Sequence, residues 1–202
     1  MAFEAFLKTK QGFIFGLDEV LYPQKDYLLQ VYYLFAEFMA YTEQLDSVAI
    51  IAFMQAEYLE HGPQAMFAKT AQRFNIDAKY QHNFDLLHEN ARLPLKLLLF
   101  KQVLAFMQEI VVERKQLFLL VDGNPAEQIN KIKQLEWNGL EQYLKVYFTA
   151  EFEAKPAIGA VDFIISENQL NRDEILMIGH SKLDELCAVN AGVEYFSVTK
   201  LL

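Results

Sequence analysis

The sequence predicts an α/β fold: a doubly wound, mostly parallel Rossmann-like sheet with a small all-helical subdomain. Two observations carry this reading. Strand-like and helical stretches alternate from about residue 116 to the end, the pattern of right-handed crossover units. Between the first strand and the second lies a long interval with helical periodicity only. The strand-like segments are 12–15, 117–121, 146–149, 175–178 and 193–198. They are short and nearly continuously apolar, as strands buried on both faces of a parallel sheet must be.

After the first strand, a helix starts near Lys25 and places Leu28, Tyr32, Phe35 and Met39 on one face. A second follows the capping candidate Asp46, with Val48, Ile51, Met54 or Gln55 and Tyr58 sharing a face. Gly62-Pro63 and residues 75–77 read as breaks, and Phe84, Leu87 and His88 suit a further short helix. The aromatic stripe Tyr32, Phe35, Phe38 and Tyr41 is assigned mostly to the core of this bundle. Pro94 marks the return, and a helix over 96–112 leads back to the sheet. The expected organisation is therefore a Rossmann-like core of residues 1–21 and 95–202, with a helical cap of 22–94 inserted after the first strand.

In the second half, Asn124-Pro125 is a capping residue followed by proline at the first helical position, and Ile129, Ile132 and Leu135 fall on one face. The next helix opens at Pro156 and carries Ile158, Val161 and Ile165. The last runs over 182–191 and stops at Gly192. No internal repeat or low-complexity tract separates these parts.

Composition narrows the function. With 202 residues and 53% hydrophobic side chains, one sizeable core can form. The chain has 27 acidic against 18 basic residues and no basic block, which argues against nucleic acid as a partner. The single cysteine, Cys187, cannot form an intrachain disulfide and reads as a buried inert thiol beside Leu183 and Leu186. The first ten residues carry Glu4, Lys8 and Lys10 and lack an apolar core of signal-peptide length, so a cytoplasmic protein is expected. Apolar runs fall well below the ~20 residues that span a bilayer, so no membrane association is expected.

In an open parallel sheet, ligands bind beyond the carboxyl ends of the strands. Four of those ends are informative: Gly16-Leu17-Asp18-Glu19, Val121-Asp122-Gly123-Asn124, Glu153-Ala154-Lys155-Pro156 and Gly179-His180-Ser181-Lys182-Leu183-Asp184. Taken in order, with a helical insertion after the first, these stretches resemble the haloacid-dehalogenase-like superfamily, mostly phosphohydrolases, over essentially the whole chain. The resemblance implies an aspartate nucleophile where this chain has Gly16, and a general acid/base at the retained Asp18. It implies a phosphoryl-binding hydroxyl where Val121 stands and a charge-stabilising lysine at the retained Lys155. It also implies magnesium, held partly by a carboxylate where His180 stands and by the retained Asp184.

The chemistry of these replacements is plain. Glycine supplies no oxygen nucleophile. Magnesium requires near-octahedral oxygen ligands, and Gly16 and His180 remove two carboxylates, so no cofactor is expected. Valine keeps a branched side chain in the strand but removes a donor. The vestigial catalytic candidates are Asp18 and Lys155, although each also fits a plain role, as a loop cap and as a solvated cation. The candidate ligand-binding set is Asp122, Gly123, Asn124, Lys155 and Ser181, aided by the helix N-terminus after Asn124. Strand alternation turns Asp122 away from the Val121 side, against its serving as a substitute nucleophile. His180 and Asp184 are candidates for a transition metal; in the plainer reading His180 hydrogen-bonds a nearby carboxylate and Asp184 orients its own loop.

The expected function is that of a haloacid-dehalogenase-like homologue that has lost phosphohydrolase activity. It would be retained to bind a small anionic or phosphorylated molecule, or a protein partner at the cap cleft. The alternatives are an active hydrolase of a small phosphorylated metabolite, with His180, Asp18 and Asp184 around a metal or water, and a structural module whose cap groove contacts another chain.

Overall fold

The computed structural model describes residues 3–202. A short helix α1 (Glu4–Thr9) leads into strand β1 (Gly12–Phe15), and four helices follow: α2 (Gln24–Glu43), α3 (Ser47–His61), α4 (Met66–Phe74) and α5 (Gln81–Asn90). The two-residue strand β2 (Leu97–Leu98) then precedes α6 (Lys101–Val112), β3 (Gln116–Val121) and α7 (Pro125–Gln134). The chain ends with β4 (Leu135–Glu136), β5 (Leu144–Phe148), α8 (Gly159–Glu167), β6 (Ile175–Gly179), α9 (Lys182–Ala191) and β7 (Glu194–Ser197). Contacts divide it into two units: one holds the chain up to Pro23, Leu98–Gln128 and Leu135–Leu202, the other Gln24–Leu97 and Ile129–Gln134.

The first unit is the α/β fold that the alternating pattern predicts. Five strands lie in the order β5-β3-β1-β6-β7, and each neighbouring pair is parallel. Strand β1 is central, with Gly12 in register with Gln116 on one side and Ile175 on the other. The order reverses beside it, so the β1–β6 boundary is the switch point at which such sheets present ligand sites. Every residue of β1 is buried, and the pleat distributes its side chains between two cores. Phe13 and Phe15 pack on Phe106 of α6, with centroids 5.6 and 5.9 Å away. Ile14 turns the other way, into a cluster with Phe118, Met177, Val161, Ile164 and Cys187. Each such fully buried side chain contributes about 1.5–3 kcal/mol, which makes the strand tips a rigid platform.

The second unit is a helical bundle around α2, whose Tyr27, Leu28, Val31, Tyr32, Phe35, Ala36 and Met39 are buried. Phe84 of α5 packs edge-on against Phe35, 5.0 Å between centroids. Asp46 caps α3 through a 3.1 Å bond from the Ala49 N–H, as its residue type predicts.

Several expectations need correcting. The buried face of α3 is Ile50 and Met54, while Val48 is 75% exposed, because this helix is apolar on more than one face and its periodicity is ambiguous. Helix α4 has no sequence signal at its start: Ala65 is left-handed and offers no capping side chain. Tyr41 of the aromatic stripe is exposed. Residues 96–100 are not helical, because the Phe100 N–H is taken by the Leu21 carbonyl at 2.8 Å and α6 begins only at Lys101. Helix α8 starts at Gly159, not at Pro156. On α7 the buried side chains are polar: Gln128 and Lys131 are enclosed while Ile129 is exposed, and the Lys131 ammonium lies over the Tyr27 ring, 4.8 Å from its centroid. Among the described residues, no helix is long and apolar enough to cross a membrane.

Candidate active site

The tip of β1 is built around an absent side chain. The Gly16 N–H continues the ladder by donating to the Ile178 carbonyl at 3.1 Å. The chain then turns at once: the Leu21 N–H returns to the Leu17 carbonyl at 2.9 Å, and Glu19 sits in the left-handed region with φ 59°, a backbone state that costs about 1–3 kcal/mol. A Cβ on Gly16 would lie 3.0 Å from Val20 Cγ2, tighter than ordinary packing. Asp18 follows, and its carboxylate is already engaged. The buried Tyr22 hydroxyl donates to Oδ1 at 2.5 Å and the Gln128 amide to Oδ2 at 3.3 Å.

Beyond β5, a short turn over Thr149–Glu151 brings the chain to Lys155, whose peptide bond to Pro156 is cis. The ammonium of Lys155 lies 2.7 Å from Asp184 Oδ1 and 2.9 Å from Asp122 Oδ2, and it donates to the Leu120 carbonyl at 3.3 Å. Burial by itself would lower the pKa of this lysine, but the charges of Asp184 and then Asp122 overcome it, and the net shift is upward. Asp184 is the mirror case. Burial would raise its pKa, yet the charge and hydrogen bond of Lys155, with the bonds from Ser181, hold it below the usual carboxylate range. The position of Asp122 corrects the alternation argument. The strand ends at Val121, so the following residue is free of the pleat and turns its carboxylate to Lys155.

The fourth strand end is a helix cap. Ser181 is the N-cap of α9: its hydroxyl accepts from the Asp184 N–H at 3.1 Å, while Asp184 Oδ2 accepts from the Ser181 N–H at 2.9 Å, the Ser181 hydroxyl at 2.8 Å and the His180 N–H at 3.1 Å. It is thus the backbone of His180, and not its exposed imidazole, that meets the carboxylate. Gly179 must lack a side chain, because a Cβ there would fall on Asp184 Cβ. At the second strand end, Gly123 adopts φ 98° and Asn124 caps α7 by accepting from the Ala126 N–H at 3.0 Å.

The structure therefore brings Lys155, Asp122, Asp184 and Ser181 into one network, and leaves His180, Gly123 and Asn124 exposed beside it. It also enlists three residues that sequence reasoning missed. Tyr22 and Gln128 bind Asp18, and Thr149 uses its hydroxyl on the Val121 carbonyl at 3.4 Å. Gln128 is 110 positions from Asp18, and nothing local in the sequence signals such a pairing.

The donor set does not fit magnesium. Gly16 offers no ligand, the imidazole of His180 is a poor partner for a hard cation, and both oxygens of Asp184 are committed to Lys155 and to the α9 cap. Among the described residues, no group of three or more His, Cys, Asp or Glu side chains is gathered as a metal site.

The family model for haloacid dehalogenase-like hydrolases matches residues 13–198, and the chain belongs to that family. Solved structures share its fold. A candidate β-phosphoglucomutase from Thermotoga maritima superposes with a TM-score of 0.65 at 16% identity, covering 93% of this chain and 84% of the other. A hydrolase from Streptococcus pneumoniae TIGR4 does so with 0.56 at 16% identity, covering 96% of each chain. A haloacid dehalogenase-like family hydrolase from Xanthomonas campestris gives 0.55 at 17% identity, over 93% of this chain and 80% of the other. At such identities these likenesses speak for the fold alone. No curated protein matches the sequence.

Proposed function

We propose that this haloacid dehalogenase-like chain no longer transfers phosphoryl groups through an aspartyl intermediate and is retained to bind a small anionic molecule. The observation that carries this is the state of Lys155. The cation that would meet a phosphoryl group is held by two carboxylates of the chain itself, Asp122 and Asp184. An incoming phosphate would have to displace Asp122 and would then find no nucleophile at Gly16. Asp18 supports the same reading, because both its oxygens accept hydrogen bonds from within the fold.

The test is a direct assay. With magnesium and an aryl phosphate, the purified chain is expected to release no phosphate above buffer, and mass spectrometry after incubation with acetyl phosphate is expected to show no adduct. Robust magnesium-dependent release, or a trapped acyl phosphate, overturns the proposal. Combining Gly16→Asp, Val121→Thr and His180→Asp tests the remaining geometry. Any turnover gained by this triple change is expected to rise further when Asp122→Ala frees Lys155.

A further inference from the structure

We infer that the helical unit carries a pocket for a small phosphorylated molecule, formed by the 90–96 segment and the last turns of α7. A cavity of about 380 Å³ opens there, lined among others by Arg92, Lys96, Asn130, Lys133 and Gln134. That volume lies in the range of small-molecule sites, roughly 300–1,000 Å³, and is large enough for a phosphorylated metabolite. In a chain of net charge -9, three cations meet at this cavity and no carboxylate lines it. Among the described residues, none of Arg92, Lys96 and Lys133 has an ion-pair or side-chain hydrogen-bond partner within the chain. Like charges gathered without a counterion repel one another, and an anionic guest relieves that cost.

The frame beneath the cations is fixed. Asn130 and Gln134, one turn apart on α7, both donate to the Ala91 carbonyl, at 3.1 and 2.8 Å, and Gln134 also donates to Asn130 Oδ1 at 2.9 Å. In return Gln134 Oε1 accepts from the Leu93 N–H at 2.5 Å, and Gln30 Oε1 accepts from the Leu95 N–H at 2.7 Å. The backbone is thus pinned at 91, 93 and 95, so Arg92 and Lys96 are displayed from a rigid strip and less ordering is needed on binding. An exposed lysine pair alone would be weak. A guanidinium that can take two phosphate oxygens at once, lining the same cavity as two lysines, favours a phosphate over a carboxylate of equal charge. The pocket shares no residue with the Lys155 network. It names the ligand class for the binding reading above, yet its test is independent of whether catalysis has been lost.

The full chain is titrated with inorganic pyrophosphate, and in a parallel arm with citrate, while amide ¹H–¹⁵N shifts are followed. Saturable changes centred on residues 90–96 and 129–134 are expected, with pyrophosphate the tighter ligand. The combined variant Arg92→Gln, Lys96→Gln, Lys133→Gln changes only exposed side chains, and circular dichroism checks its fold. Its affinity is expected to fall about tenfold or more, the effect of losing one or more charge-assisted contacts. Changes centred on 122–124 and 180–182, absence of saturation, undiminished binding by the variant, or equal affinity for citrate would each overturn the inference. Aryl-phosphate hydrolysis reads out the other proposal separately.

Discussion

Asp184 and Asp18 follow the ends of neighbouring strands, β6 and β1, yet the fold treats them differently. Asp184 is buried, receives an ammonium and caps a helix with the same carboxylate. Asp18 is partly open and accepts from a tyrosine and an amide in a turn that has closed over Gly16. The contrast teaches two ways in which a strand end holds a carboxylate: by a buried counter-ion and a helix cap, or by a tight turn and two neutral donors. Asp184 solves a folding problem, the desolvation of Lys155.

Asp184→Ala is the most damaging single change this comparison implies. It strips the buried Lys155 of its nearer partner and removes half of the α9 capping box. Breaking a buried pair from one side costs about 3–5 kcal/mol, and the lower end is expected because Asp122 stays in place. Urea unfolding followed by the fluorescence of Trp137, the single tryptophan and a buried residue of the α/β unit, measures it. A loss near zero would mean that the clamp does not hold this sheet edge together, and the comparison would break.

The same physics explains what the sequence makes legible. The strands are plain because parallel strands buried on both faces need unbroken apolar runs, and Phe13 to Phe15 or Ile175 to Ile178 have little else to be. Helix starts are plain where a side chain caps them, at Asp46, Asn124 and Ser181. Helix α4 lacks such a cap, and the 96–100 segment is extended by a bond to Leu21, some 79 positions away. The polar buried face of α7 inverts an amphipathic reading, because the Gln128 amide nitrogen and the Lys131 ammonium find partners in Asp18 and the Tyr27 ring, far off in the chain. At the site, the residue types at Gly16, Val121 and His180, on which the proposed loss of phosphoryl transfer rests, are legible from the sequence alone. The turning of Asp122 toward Lys155 is not, because it depends on where β3 stops.

The Lys155–Asp184 pair also sets a pH window, and the two shifts give its edges. Asp184 is lowered from an ordinary value of 3.8, so its contribution is present above that value and is lost as the pH falls through the folded value below it. Lys155 is raised from an ordinary 10.5, so its contribution is complete below 10.5 and is lost as the pH rises through the higher folded value. Between these limits the pair is expected to add no slope to stability. The effect of each edge is smaller than that of deleting Asp184, since titration leaves the packing intact. Replacing Lys155 with Met should remove the alkaline decline when unfolding midpoints are measured against pH, and persistence of that decline would assign it to another group.

Tyr22→Phe gives the smallest expected effect and the sharpest use of the comparison. Tyr22 is fully buried and its hydroxyl donates to Asp18 Oδ1, so the change deletes a donor and keeps the ring. A hydrogen bond to a charged acceptor contributes about 1.5–3 kcal/mol when buried. Asp18 is only partly enclosed, and water can replace the lost donor, so a loss of about 1 kcal/mol is expected in the same tryptophan-monitored unfolding. If the cost instead equals that of Asp184→Ala, the turn after β1 is as firmly built as the α9 cap. Asp18 would then serve the fold as much as Asp184 does, and the distinction between the two carboxylates would collapse.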